Sequence, residues 1–487
     1  MRSPATLARS GVPLLLCWFA ALLVTVHCSG QGGSEPVRPP NVILMTLDTL
    51  RADHLGCYGY DRPTSPHIDA FAKVATFYPR GYSASPWTLP SHASLMTGLY
   101  PFEHGARTFK IRADRAEVSV LDERHVTLAE ALRAEGFRTA AFVGNVVYLN
   151  ERFKINQGFE TYFNERTYSN RLNEMALEWL GQNGQEPFFL FLNYIDTHNP
   201  YNARRRPDDP GFLRPEDDRQ SFYIYQDLRP HILKREKPFP AETVQLVTNQ
   251  YDTAIHVLDA ELGRLFEELK KLGLYDNTMI ILTSDHGEFL GEHDLIDHGK
   301  DVYQPVVWVP LIIKNPGQRE GVVDETVITS PEIPHLIFQR FPADMAERGF
   351  AQFPLAPGKQ PALSENYFTM ADDYNYKPHE RARFDRVRTA VYDWPYKYIH
   401  DSSGKHELYD LAKDPEESKN LYTGNTGVAR EIEQQLLSFK ADRDTAKEAQ
   451  PVRPANEEEL ENLRALGYLA DDASPSHPAE PESPKPE

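Results

Sequence analysis

The chain alternates uninterrupted apolar runs with stretches whose apolar residues recur every three or four positions, and this pattern predicts most of its elements. Asn41 to Leu47 reads as a buried strand that ends on Asp48. Met279 to Thr283 repeats the design and runs into Ser284-Asp285-His286-Gly287. Phe188 to Tyr194 does so a third time, ahead of Asp196-Thr197-His198. Continuous apolar strands of this kind belong to parallel sheets covered on both faces. Val126 to Glu135, Asn170 to Asn183 and Glu242 to Leu272 carry helical spacing, and in the last Ile255, Leu258, Leu262, Leu265 and Leu269 share one face. Phe137 to Val143, closed by Gly144-Asn145, reads as another strand, as does Val306 to Lys314. The expected fold class is α/β, a mixed, mostly parallel sheet sandwiched by helices.

From about residue 340 the pattern shortens to strands such as Arg388 to Asp393 and Tyr396 to His400, which predicts a smaller α+β subdomain with an antiparallel sheet. Glu457 to Gly467 reads as a closing helix, and the Pro, Ser, Glu and Asp of 471–487 predict a disordered tail. The expected organisation is 41–340 for the catalytic domain and 341–470 for the C-terminal subdomain. Residues 199–240, rich in Pro, Arg and Asp, read as an excursion over the mouth of the site.

Composition changes the picture at the N-terminus. Arg2 and Arg9 precede the apolar run Val12 to Val26, so residues 1–27 read as a secretory signal or an anchor, with 28–40 as a linker. Cys28 is a candidate for lipid modification there. Beyond residue 27 only Cys28 and Cys57 occur, so no disulfide framework supports the fold, and Cys57 reads as a packed thiol. The formal net charge of −19 argues against nucleic acid or an anionic membrane as partner. Any membrane attachment would run through the N-terminus.

Ligands of open α/β sheets gather beyond the carboxyl ends of the strands. Three strands that each deliver Asp or His to that edge describe a hard-metal site. Next to it in the reading stands Ser83 to Gly98, where a Pro-bounded turn puts Thr88 ahead of Pro90-Ser91-His92 and an apolar run. Ser91 reads as the N-cap of a helix whose start suits an oxyanion.

With these segments in order, the chain resembles the sulfatase family of the alkaline phosphatase superfamily over about residues 40–469. The resemblance is carried by strand-Asp48, Leu55-Gly56-Cys57-Tyr58-Gly59, Thr88 to Gly98, Gly158-Phe159-Glu160-Thr161-Tyr162 and Asp196-Thr197-His198-Asn199-Pro200-Tyr201. Thr283-Ser284-Asp285-His286-Gly287, His298-Gly299-Lys300 and Glu407-Leu408-Tyr409-Asp410-Leu411 complete it. It implies an alkaline phosphatase-like fold and an extracytoplasmic hydrolase of sulfate- or phosphate-type esters.

The resemblance breaks at the nucleophile. Sulfatases carry Cys or Ser there, oxidised to formylglycine, and here the aligned residue is Thr88, with His92 where they carry Arg. Oxidising a threonine gives a ketone, so no formylglycine is expected, and the unmodified Thr88 hydroxyl is the expected nucleophile. Phosphodiesterases and phosphoryl transferases of the same superfamily look like this. Two further departures are Thr49, where many sulfatases have a second metal-binding Asp, and Asn145, where they often have Lys.

By the resemblance, Asp48, Asp285, His286 and the Thr88 oxygen hold a divalent cation, Ca²⁺, Mg²⁺, Mn²⁺ or Zn²⁺, which activates the alcohol. With Thr88, the catalytic set is His198, donating to the leaving group or to a substrate oxygen, Lys300 on the anionic ester, and His92 in the place of an Arg that would hold nucleophile and anion, while Asn145 and His298 are expected substrate contacts. His298 is read as a ligand, a donor or a loop residue, and Asp196 as an orienter. Glu288, Glu292, His293, Asp294 and Asp297 crowd the same loop. The expected substrate is a small-molecule, glycan or lipid ester. Phosphoryl or phosphonate ester chemistry and a catalytically weak binding protein are the alternatives.

Overall fold

Eight strands make the main sheet: β1 (Asn41–Leu47), β2 (Thr76–Tyr78), β3 (Arg138–Val143), β4 (Thr161–Asn164), β5 (Phe188–Tyr194), β6 (Thr278–Thr283), β7 (Leu311–Lys314) and β8 (Val322–Val323). Their order is β8-β2-β7-β6-β1-β5-β3-β4, with β1 at the centre. β1 runs parallel to both neighbours, Leu44 pairing with Phe191 on β5 and Ile281 on β6. Only β7 runs against the rest, antiparallel to β6 and β2. The fold is thus α/β with a mixed, mostly parallel sheet, as the apolar runs predict, and it is the alkaline phosphatase-like fold that the resemblance implies. The computed structural model describes residues 38–107, 109–112, 115–204, 210–214, 224–225, 227, 239–367, 383–423, 426–443, 452–454, 456, 457 and 461. The leader and most of the linker, much of the 199–240 excursion, most of the closing helix and the tail lie outside the described residues. Among the described residues no helix is long and apolar enough to cross a membrane.

Side chains alternate across a strand, so a strand that is apolar throughout feeds two cores. Val42 and Leu44 of β1 join Phe189, Phe191, Met279 and Ile281 on one face. That face is covered by α2 (Thr88–Thr97), by α3 (Leu128–Ala134) and by α6 (Ile333–Phe338). Ile43, Met45 and Leu47 join Leu190, Leu192, Ile280 and Leu282 on the other. There they meet α1 (Pro66–Ala72), α4 (Ser169–Asn183) and the long helix α5 (Ala241–Lys271), whose Ile255, Leu258, Leu262, Leu265 and Leu269 are all fully buried. C-terminal to these, β9 (Ala362–Asn366), β10 (Arg388–Asp393), β11 (Tyr396–Asp401) and β12 (Glu407–Asp410) form an antiparallel sheet against α7 (Thr426–Arg443).

Two local expectations need correction. The helix after the Pro-bounded turn starts at Thr88, with Trp87 as N-cap, three positions ahead of Ser91. Pro90 is tolerated in the first turn because the N–H it lacks has no partner within a helix there. The Ser91 hydroxyl donates instead to the Asp285 carbonyl. The expected strand from Val306 is also shorter, because Pro305 opens a helical turn at Gln304–Val307 and the strand begins after Pro310, at Leu311.

α1 is capped from a distance. Its N-cap, Ser65, makes no capping bond, and the Asp259 carboxylate of α5 accepts the His67 and Ile68 amides at 3.0 and 2.8 Å. Burial pushes Asp259 up from 3.8 to about 7. The folded state therefore keeps a proton that the unfolded chain releases near pH 4, and stability is lost as pH rises from there through about 7. Asp259→Asn should remove that decline, gaining on the wild type by at most roughly 4 kcal/mol between pH 4 and 8. Urea unfolding of both proteins across this range checks it, and parallel pH profiles would contradict it.

Candidate active site

Asp48 follows β1 and Asp285 follows β6, and because these strands are neighbours the two carboxylates arrive side by side, both essentially without solvent exposure. Each is held by one oxygen. Asn145, past the end of β3, donates its amide to Asp48 Oδ2 at 2.8 Å. Asp285 Oδ1 accepts the amides of His286 at 2.9 Å and Thr49 at 3.2 Å. The Thr49 bond requires a left-handed φ of 63°, an uncommon conformation for a β-branched residue. The other oxygens, Asp48 Oδ1 and Asp285 Oδ2, are buried without a hydrogen-bond partner among the described residues. Burial, then the adjacent Asp48 charge, pushes Asp285 well above the usual carboxylate range.

His286 completes the set. Its Nδ1 lies 2.9 Å from the Gly287 carbonyl, which only accepts, so the ring proton sits on Nδ1. Nε2 then carries the lone pair, 3.3 Å from Thr88 Oγ1 and 3.3 Å from Asp285 Oδ2. Burial, with help from neighbouring His298, holds the ring well below its ordinary pKa and so neutral. Asp48, Asp285 and His286 offer one donor each within 4.8 Å of one another. Two unpartnered carboxylate oxygens and an imidazole lone pair fit a divalent cation, and the backbone carbonyl that fixes the ring has the place of an outer-shell partner.

Thr88 opens α2, so the amides at its start have no helical partners and point toward the same edge. His92 lies one turn on and beneath it, fully buried. Its Nδ1 donates to the Thr88 carbonyl at 2.9 Å, and its Nε2 accepts from Thr46 at 3.0 Å. Thr46 accepts in turn from Asn193, at 3.1 Å. Burial lowers the His92 pKa, in keeping with this neutral state. His92 therefore braces the Thr88 backbone, with both ring nitrogens engaged by the protein.

The remaining expected residues divide. His198 gives Nδ1 to the Asn199 carbonyl at 2.6 Å, and its ring centroid is 5.2 Å from that of His298. His298 in turn lies 4.4 Å from His286, ring to ring. Lys300 Nζ donates to the His298 carbonyl at 3.0 Å and pairs with Asp297 at 3.2 Å. Asn145 is engaged by the protein at both ends, its carbonyl accepting the amides of Val147 and Tyr148, so it positions Asp48. Asp196 accepts from Ser169 and Asn202, tying down the start of α4. Cys57 lies elsewhere, in a cleft with Asp69, Lys73 and Val322, and burial pushes its thiol up. Thr46 and Asn193, which brace His92, escape sequence reasoning, since inside apolar strands they carry no motif.

The sequence profile described as sulfatase matches residues 40–342, well over half the chain. The chain belongs to the sulfatase family. A second profile, for the C-terminal part of N-sulphoglucosamine sulphohydrolase, matches residues 291–442. Over 425 residues the chain is 25% identical to an ulvan-active sulfatase of Formosa agariphila, covering 80% of this chain and 78% of that one. It is 26% identical over 500 residues to the multifunctional alkaline phosphatase superfamily protein PehA of Trinickia caryophylli, covering 82% and 95%. In fold it matches the phosphonate monoester hydrolase of Agrobacterium radiobacter with a TM-score of 0.61 and 22% identity, over 83% and 96% of the chains. This sulfatase-family chain is an ester hydrolase.

If Asp48, Asp285 and His286 hold a cation, Asp285→Asn should lower tightly bound divalent metal by about one ion per chain while the fold survives. Elemental analysis after desalting, alongside circular dichroism, measures this, and an unchanged metal content would overturn the ligand set.

Proposed function

We propose that this protein hydrolyses phosphate-type esters, phosphate or phosphonate, through the unmodified Thr88 hydroxyl, with a divalent cation held by Asp48, Asp285 and His286. The observation that carries the reading is Thr88 Oγ1 lying 3.3 Å from a neutral His286 Nε2, beside two buried carboxylates with unpartnered oxygens. When bound, the cation lowers the pKa of the hydroxyl and neutralises a non-bridging ester oxygen.

In the first step the Thr88 oxygen bonds to phosphorus as the bond to the leaving alcohol breaks, and the alcohol takes up a proton. We assign that proton to the Nε2–H of His198 in its imidazolium form, whose Nδ1–H stays on the Asn199 carbonyl, while the proton lost by the attacking Thr88 hydroxyl passes to solvent. Lys300 and His298 face the anionic oxygens. Water then attacks phosphorus, the bond to Thr88 breaks, and the hydroxyl is restored. The choice of phosphorus over sulfur rests on the adduct. A formylglycine hydrate has a second hydroxyl that can expel sulfate by cleaving the C–O bond, whereas a threonine ester has none and must be cleaved by attack at its central atom. Export follows from Arg2 and Arg9 ahead of Val12 to Val26, and places the reaction outside the cytoplasm.

Thr88→Ala should lose about three or more orders of magnitude in kcat on aryl phosphate and phosphonate esters, while Thr88→Ser keeps part of the rate. Intact and peptide mass spectrometry of the wild type should show unmodified threonine at position 88. Full turnover by Thr88→Ala would refute the nucleophile, and a clear preference for aryl sulfates would refute the substrate class.

A further inference from the structure

A second cluster of metal-binding side chains lies on the short hairpin that follows Asp285-His286. The strand pair Phe289–Leu290 and Ile296–Asp297 puts Phe289 opposite Asp297, which sets Glu288 across from His298. The hairpin's end is pinned beside the nucleophile, because the Gly299 amide donates to the Pro86 carbonyl at 2.9 Å. Glu288, Asp297 and His298 are 0%, 6% and 4% exposed, and each offers a ligand atom within 4.8 Å of the others.

His298 Nδ1 lies 3.3 Å from Glu288 Oε1 and 3.1 Å from Asp297 Oδ1. Neighbouring donors held about 2.1 Å from one ion lie about 3.0–3.4 Å apart, so these separations suit coordination as well as they suit hydrogen bonding. The Glu288 carboxylate separates the two. Its Oε2 is buried without any hydrogen-bond partner, the same feature that Asp48 Oδ1 and Asp285 Oδ2 present at the first site. A hydrogen bond from His298 satisfies one Glu288 oxygen and leaves the other orphaned in the interior, a costly arrangement. Lys300 Nζ, 3.2 Å from Asp297 Oδ2, balances Asp297, which leaves the His298 ring to face Glu288.

We propose that Glu288, Asp297 and His298 form a second divalent-cation site, with Asp297 shared between the ion and Lys300. One imidazole and two carboxylates suit Zn²⁺ or Mn²⁺. The ion would bring a second fixed positive charge to the side of the pocket that carries His298 and Lys300.

The test is an ion count that does not depend on turnover. The full chain is stripped with a chelator, saturated with Mn²⁺ or Zn²⁺, desalted and analysed for metal per chain. The wild type should hold about two ions, and Glu288→Gln and Asp285→Asn about one each. Asp297→Asn serves as a second variant should Glu288→Gln not fold, and the wild-type count stands without either. One ion in the saturated wild type, retained by Glu288→Gln and lost in Asp285→Asn, would overturn the second site and leave the first intact. One ion lost in Glu288→Gln and kept in Asp285→Asn would support the second site while removing the first. Two ions retained by folded Glu288→Gln would overturn the assignment of Glu288.

Discussion

Two buried carboxylates meet at the ends of β1 and β6 with no positive side chain between them. Ligand atoms of Asp48 and Asp285 lie within 4.8 Å of each other, and at an effective dielectric near 20 such a pair repels by roughly 3–4 kcal/mol. Burial adds to that, which is why Asp285 is pushed so far above its ordinary range. A fold that served stability alone would carry apolar residues here, as it does one position earlier at Leu47. The surrounding structure works to keep this repulsion in place.

It does so through the backbone. Asp285 is fixed by the amide of Thr49 in a left-handed conformation, a strain of about 1–3 kcal/mol that only a rigid surrounding sustains. Tyr251 of α5 supplies part of that rigidity, its hydroxyl donating to the Thr49 carbonyl at 2.7 Å and accepting the Arg51 amide at 2.9 Å. The long helix thus covers one face of the sheet and clamps the turn that shapes the site. On the other face, Asn193, Thr46 and His92 form a buried chain that ends on the Thr88 carbonyl, so Thr88 and the carboxylates are braced from opposite sides of β1.

What the sequence reveals is the part governed by periodicity. Asn41–Leu47, Phe188–Tyr194 and the α5 face are legible because solvent exclusion on both sides of a strand, or one side of a helix, dictates residue type over many positions. The meeting of Asp48, Asp285 and His286 is legible for the same reason, since each follows the end of such a strand. Interactions between distant residues are not. The start of α2 at Thr88, ahead of the better-looking cap Ser91, depends on Ser91 having a partner in the Asp285 carbonyl, 194 positions away. Asn145 and His92 look like substrate contacts in sequence because they stand where the family carries basic residues. Only the fold reveals that their polar atoms are taken up by Asp48, Thr46 and the Thr88 backbone.

The C-terminal sheet belongs to the site by the same logic. Arg388 of β10 is fully buried among Asp301, Asp401 and Glu407, and Arg386 adds an ion pair to Asp401 at 2.7 Å. Buried networks of this kind recover little net stability, because desolvating every charge offsets most of the attraction. Their strength lies in geometry, since moving any member strands a charge in the interior. Asp301 directly follows Lys300, and the same loop is tied two residues earlier to Pro86 through Gly299. The segment carrying His298 and Lys300 is therefore held between the turn before Thr88 and the C-terminal sheet. That gives the small antiparallel sheet a part in placing this segment. It fixes the segment that carries His298 and Lys300, as β1 and β6 fix Asp48 and Asp285.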